Sequence, residues 1–202
     1  MKALALVIGL TGGIATGKST VSEMFKEMDI PVVDADVISR EVVEPGELAY
    51  EKIVDTFGEE VLHPDGTLNR KKLGSIVFGD EQKRKQLNEI VHPEVRKKMI
   101  SERDRYVQEG HPIVVLDIPL LFESKLTHFV DKTLLIYVDE DIQLKRLMNR
   151  DQSTKEEALQ RINAQYPISK KLELADAVIY NNGTIEETKE QLLEQLKTWN
   201  RE

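Results

Sequence analysis

Eight mostly apolar residues, "ALALVIGL" (3–10), run directly into "TGGIATGKST" (11–20) and then into the amphipathic "VSEMF". No other stretch restricts the fold as strongly. Glycine loses the most conformational freedom on ordering, so Gly12, Gly13 and Gly17, crowded between a strand and a helix, imply a backbone wrapped tightly around something. The segment fits G-x-x-x-x-G-K-[ST], with Gly12, Gly17, Lys18 and Ser19 in register. In that pattern the loop turns backbone N–H groups inward around phosphate oxygens. A helix starting near Lys18 aims the positive end of its dipole at the same point. Lys18 supplies a mobile charge for β- and γ-phosphates, and the Ser19 hydroxyl is a ligand for Mg²⁺. The strand before the loop and the helix after it are the context that this motif requires. The dinucleotide fingerprint G-x-G-x-x-G is absent from the loop, which speaks against a nicotinamide or flavin enzyme. The expected ligand is a nucleoside triphosphate, ATP.

The rest of the composition narrows the partners. A net charge of −8 over 202 residues argues against a nucleic-acid or membrane-surface binder. The absence of cysteine removes disulfides, thiol nucleophiles and thiolate metal sites, and makes the cytoplasm the expected compartment. Lys2 followed by an apolar run faintly resembles a signal peptide, but the glycine cluster stands where a cleavage site would be, so the run reads as a buried strand. No apolar run reaches the ~20 residues of a membrane span. The histidines at 63, 92, 111 and 128 have no metal-ligand spacing, and metal use is expected only as Mg²⁺ arriving with ATP.

Further continuous apolar runs occur at 30–36, 112–118, 132–138 and 176–181, the pattern of strands buried on both faces of a parallel sheet. Helical patterns alternate with them at Ser19 to Met28, Val37 to Val43, about 69–109 and 140–150. Two more helices begin at capping-box spacings, Ser153 with Glu156 and Thr184 with Glu187. This alternation predicts an α/β, doubly wound, five-stranded parallel sheet flanked by helices. The segment 44–111 departs from it: mostly helical, with turn signals at "HPDG" (63–66) and "HPE" (92–94). From Asn69 to Arg105 it carries eleven Lys/Arg against six Asp/Glu. That excess is either a solvated helical face or a lobe facing an anionic substrate. A second candidate lobe, 150–168, lies between the last two strands.

Four more elements carry candidate chemistry. "PVVDAD" ends a strand in Asp34 and Asp36, at the sheet edge where ligands bind in open α/β folds. Phosphoryl transfer to an alcohol needs a carboxylate to orient the hydroxyl and accept its proton; capping of a strand-end turn is the plainer reading. Asp117 ends "VVLD" and is either a magnesium-binding carboxylate or a strand-terminal residue. Arg146 and Arg150, then Arg161 and Gln165, sit four apart on helical faces, where the arginines can close over transferring phosphates or form surface ion pairs. Asn181 in "VIYNNG" either meets a base or makes the turn.

Taken in order, "GLTGGIATGKSTV", "VVDADVISREVVEPG", "DGTLNRKKLGSIVF", "LNEIVHPEVR", "DIPLLFE", "LKRLMNRD" and "ADAVIYNNG" resemble the dephospho-coenzyme A kinases over almost the whole chain. Ala15-Thr16 stand where many members have Gly-Ser. The resemblance implies one P-loop kinase domain with its core at about 1–35, 112–150 and 169–202, an acceptor-binding helical lobe at about 36–111 and a lid at about 150–168. It implies transfer of the γ-phosphoryl of ATP to the ribose 3′-hydroxyl of dephospho-CoA. Asp36 falls on the family's proposed base, Arg146 on its ATP-contacting lid arginine and Asn181 near adenine, with Lys18 and Arg150 completing the catalytic set. ATP is expected on Gly12, Gly13, Ala15, Thr16, Gly17, Lys18, Ser19, Thr20, Arg146 and Asn181. Dephospho-CoA is expected on Thr11, Asp34, Asp36, Arg40, His92 and Arg96, and magnesium on Ser19 and Asp117. The partners are small molecules, with no obligate protein partner. The rival readings are another P-loop nucleoside or nucleotide kinase, and a nucleotide-binding regulatory ATPase.

Overall fold

The structure, a computed structural model, describes residues 5–200. Lys2, and Ala3 and Leu4 of the first expected strand, lie outside the described residues. Among these, five strands form one parallel sheet in the order β2-β3-β1-β4-β5, with β1 Leu6–Gly12, β2 Val32–Asp34, β3 Ile113–Asp117, β4 Lys132–Tyr137 and β5 Ala177–Tyr180. Nine α-helices accompany it: α1 Lys18–Glu27, α2 Ala35–Glu41, α3 Leu48–Phe57, α4 Arg70–Val77, α5 Glu81–Glu109, α6 Glu140–Asp151, α7 Lys155–Asn163, α8 Ile168–Leu174 and α9 Ile185–Trp199. None is long and apolar enough to cross a membrane.

Alternate residues explain why the strand sequences read as continuous apolar runs. Ile8 and Leu10 of β1, Val115 of β3, Leu134 and Ile136 of β4 and Ile179 of β5 share a cluster with Val21, Met24 and Phe25 of α1 and Leu192 and Trp199 of α9. Their neighbours Val114, Leu116 and Leu135 are also fully buried, so both faces of the sheet are covered. β1 is central, paired to β3 and β4, which places the end of the first strand in the middle of the ligand-binding edge.

The chain packs as two compact units: residues up to Val33 with those from Arg105 onward, and Asp34–Asp104. The second unit holds α2 to α4 and most of α5. Its buried apolar residues include Ile38, Ala49, Ile53, Val61, Leu73 and Met99. Here the "HPDG" turn forms as expected, with the Gly66 N–H donating to the His63 carbonyl at 2.9 Å and Gly66 at φ +83°.

Three expected details change. The helical stretch 69–109 is two helices, broken at Phe78–Asp80 where Gly79 takes φ +82°. The "HPE" signal does not break α5, which runs through Pro93. The proline removes a single donor there, and helical bonding continues on both sides. The α7 capping box is Thr154 with Glu157, not Ser153 with Glu156. The Ser153 N–H still donates to the Met148 carbonyl of α6, so Thr154 is the first residue free to become extended.

Phe25 is fully buried in the cluster between sheet and helices. Phe25→Ala is expected to lower stability by about 3–5 kcal/mol. In urea unfolding the midpoint should fall with little change in slope.

Candidate active site

Gly12 closes β1, and the loop Gly13–Gly17 turns the chain into α1. Gly17 caps the helix at φ +86°, ψ +21°, a left-handed conformation that costs other residues about 1–2 kcal/mol. A Cβ on Gly17 would also overlap the Asn181 side-chain amide, so the position is restricted twice. Ala15 takes φ +58°, which lets the backbone reverse within the loop. No side chain caps the first turn of α1 and no acidic residue lies in it; the Thr20 N–H donates to the Gly17 carbonyl at 3.0 Å, which leaves the Lys18 and Ser19 N–H groups available to an anion.

The loop is held by its own residues and by side chains from distant elements. Thr16 is fully buried and its hydroxyl donates to the Gly13 carbonyl at 2.9 Å. Gln143 of α6 donates to the Ile14 carbonyl at 2.8 Å, and the Ile14 N–H donates to Gln165 Oε1 at 3.0 Å. Asn181, just past β5, donates to the Thr16 carbonyl at 2.8 Å and accepts from the Thr188 hydroxyl at 2.8 Å. The Asn181 amide is thus engaged with the loop backbone at one end and α9 at the other. Gln143 escaped the sequence reading, although its place among apolar residues of α6 marks it as inward-facing.

Lys18, in the first turn of α1, makes an ion pair with Asp117 at the end of β3. Asp117 is almost fully buried, while Lys18 is partly exposed. Ser19 beside it is exposed and Thr20 half-buried. The half-buried Arg146 guanidinium of α6 lies 4.0 Å from where a Gly17 Cβ would stand. Arg150 is directed elsewhere: its Nε lies 2.8 Å from Asp151 Oδ1, and Arg161 shares the same carboxylate. Hydrogen bonding to Arg150, helped by the Arg161 charge, holds the Asp151 carboxyl below the usual range. Thr11 is fully buried and its hydroxyl donates to the Pro119 carbonyl at 3.0 Å.

The remaining acceptor-side candidates lie in the second unit. Asp34 caps α2, its Oδ1 accepting from the N–H groups of Asp36 at 2.8 Å and Val37 at 3.1 Å. Asp36, thereby fixed in the first turn, has an exposed side chain. Arg40 follows one turn on, also exposed. His92 and Arg96 share one face of α5 and line an open groove with Arg84, Lys85 and Asn88. Desolvation in that groove, and the Arg96 charge, hold the His92 pKa below its ordinary value. Of the basic excess seen in the sequence, Arg84, Lys85 and Arg96 line this groove, together with Glu81 and Glu89.

For magnesium, the donor chemistry fits. Ser19 Oγ and the Asp117 carboxylate are hard oxygen ligands, and Lys18, the residue before Ser19, makes the ion pair with that carboxylate. No group of three or more His, Cys, Asp or Glu among the described residues could hold a metal, as suits an ion that keeps most of its water and phosphate ligands.

A central strand of a parallel sheet, running into an uncapped helix through a glycine loop with lysine and serine at its exit, defines a P-loop phosphotransferase of the small-molecule kinase type. The family model described as "Dephospho-CoA kinase" matches residues 6–187, and the chain belongs to that family. A dephospho-CoA kinase of Oceanobacillus iheyensis is 59% identical over 98% of this chain and 99% of its own. Among solved structures, TT1252 from Thermus thermophilus superposes with a TM-score of 0.83 at 34% identity, covering 96% of this chain and 97% of that one. Dephospho-CoA kinase from Campylobacter jejuni superposes at 0.74, with 30% identity over 95% of each chain.

Because Gly17 combines a left-handed backbone with the Asn181 contact, Gly17→Ala is expected to fold but to bind ADP about ten-fold more weakly or worse. Calorimetric titration with ADP, beside thermal unfolding of the same sample, checks both halves.

Proposed function

We propose that the protein transfers the γ-phosphoryl group of ATP to the ribose 3′-hydroxyl of dephospho-CoA, giving CoA and ADP. The observation that carries this reading is the loop itself, with the uncapped α1 N-terminus, Lys18 and the Arg146 guanidinium gathered about Gly17, in a chain of the dephospho-CoA kinase family. The loop N–H groups, Lys18 and the hydroxyl-bearing Ser19 and Thr20 would hold the phosphates. Gly12, Gly13, Ala15, Thr16 and Asn181 would serve through the backbone they shape. Arg146 would stabilise charge on the transferred group.

On the acceptor side, Asp36 would orient the 3′-hydroxyl and take its proton as the oxygen attacks phosphorus and the bond to ADP breaks. Its carboxylate has no hydrogen-bond partner among the described residues, which leaves it available for that role. Asp34 would support Asp36 by fixing its N–H. Arg40, Arg96 and His92 would receive the anionic acceptor, with Thr11 behind the loop. The Arg150 pairing with Asp151 favours a role in holding the 150–168 segment over direct contact with phosphate. Ser19 and Asp117 would hold Mg²⁺, which when bound neutralises phosphate charge and orients the oxygens. Most of the rate enhancement would then come from positioning and preorganised charge.

ADP release should rise many-fold when dephospho-CoA is added to enzyme and Mg-ATP, with CoA found by mass. ATP turnover indifferent to dephospho-CoA would overturn the assignment. Lys18→Ala is expected to lower turnover by roughly 10²–10³-fold, as loss of a preorganised donor does. Asp36→Asn should lower kcat by about 10²–10⁴-fold while ADP binding is unchanged. Normal turnover in Asp36→Asn would remove it from the base role.

A further inference from the structure

Lys171 of α8 is completely buried. Its Nζ lies 2.7 Å from Glu123 Oε1 and donates to the Gly12 carbonyl at 3.3 Å. The same Glu123 oxygen accepts from the Tyr166 N–H at 3.3 Å, and Glu123 Oε2 is buried with no hydrogen-bond partner among the described residues. Removing two ions from water is expensive, and their attraction offsets it only when their remaining hydrogen-bonding sites are also satisfied. Here one carboxylate oxygen is not. Apolar groups of similar volume would serve the fold as well or better. Stability therefore does not account for an ammonium at this place; its second partner, the Gly12 carbonyl, does.

Gly12 is the first of three alternating loop residues whose carbonyls are each held by one side chain: Gly12 by Lys171, Ile14 by Gln143 and Thr16 by Asn181. A trans peptide is planar, with its N–H opposite its C=O, and no described peptide bond is cis. Each tie therefore turns the following N–H, of Gly13, Ala15 and Gly17, away from the supporting side chain. Gln143 and Asn181 hold their carbonyls with neutral amides. Lys171 reaches the one at the root of the loop with a charged donor, at 3.3 Å against 2.8 Å for either amide tie, and Glu123 fixes where that charge sits.

We propose that Lys171, locked by Glu123, is a positioning residue for the nucleotide phosphates: it sets the Gly12–Gly13 peptide plane so that the Gly13 N–H is presented before ATP arrives. This rests on reading the loop as the ATP site. Lys171 touches neither nucleotide nor acceptor in this role, and acts through the loop backbone alone. The sequence held a weak signal for it, since Lys171 is three residues from the apolar Ile168 and so on the same face of α8, the face that the structure buries.

The test is the double variant Lys171→Met/Glu123→Gln, which removes both charges and leaves no buried ion alone. It is expected to melt close to the wild type, to bind ADP about ten-fold more weakly or worse, and to show a matching rise in KM for ATP with KM for dephospho-CoA unchanged. A purely structural pair would alter melting or the active fraction, not nucleotide affinity. Wild-type ADP affinity in the folded variant overturns the proposal. If that variant does not fold, Lys171→Gln/Glu123→Gln replaces it, keeping a polar pair one atom too short to reach Gly12, and is judged by the same outcomes. Failure of both to fold assigns the pair to stability and overturns the proposal. Wild-type enzyme that does not bind ADP would sink the reading of the loop itself, whereas binding of ADP with indifference to dephospho-CoA would sink only the acceptor assignment.

Discussion

Backbone N–H groups that face a common anion site repel one another when no anion is there, and a glycine-rich segment left to itself would relax into other conformations. Much of the larger unit is arranged around preventing that relaxation. Thr16 fills the inside of the turn, Gln143 and Gln165 grip opposite ends of Ile14, Asn181 stands where a Gly17 side chain would be, and Lys171 lies beneath Gly12. These side chains come from α6, the α7–α8 segment and the end of β5, elements on the β4–β5 half of the sheet. The glycines permit the loop conformation; the surrounding polar groups select it.

The sheet edge supplies the rest of the charge pattern. Because β1 and β3 are parallel neighbours, the first helical lysine after one strand meets the terminal aspartate of the other. The partner carboxylate is almost fully buried at a strand end, so it fixes where the Lys18 ammonium stands. Arg146 adds a second cation near Gly17, carried on α6, the helix whose Gln143 is tied to the loop.

What the sequence disclosed and what it concealed divide along physical lines. The strands were legible because both faces of the sheet are covered, so each appears as an unbroken apolar run. The phosphate loop was legible because its geometry demands particular residues at fixed spacing. Local competition between signals was harder to read. Pro93 looked like a stop, yet a long helix with bonding on both sides absorbs one missing donor. Ser153 looked like a cap, yet its N–H is still bound to α6 and Thr154 takes the role. Spacing alone did not separate Asp34 from Asp36, although the family resemblance pointed to Asp36 as the base; one caps α2 through two N–H bonds while the other keeps an exposed carboxylate. Least legible were Gln143, Glu123 and Lys171, whose meaning depends on partners more than a hundred positions away or on a different strand crossover. Gln143 and Lys171 share helix faces with apolar residues, which is a weak local signal, while Glu123 lies in a turn with nothing local to mark it.

The sequence separations in these ties bear on the order in which the molecule is completed. Gln143, Lys171 and Asn181 lie 129, 159 and 165 residues beyond the loop atoms they hold. Contacts so remote form late, since they require closure of almost the whole chain. During synthesis the loop leaves the ribosome well before Asn181, which follows the loop atom it holds by 165 residues. A nascent or truncated chain lacking β5 would carry the full phosphate-binding motif and still present a slack, unsupported turn. Capacity to hold nucleotide is thereby tied to completion of the sheet, and the loop waits for supports that are made long after it.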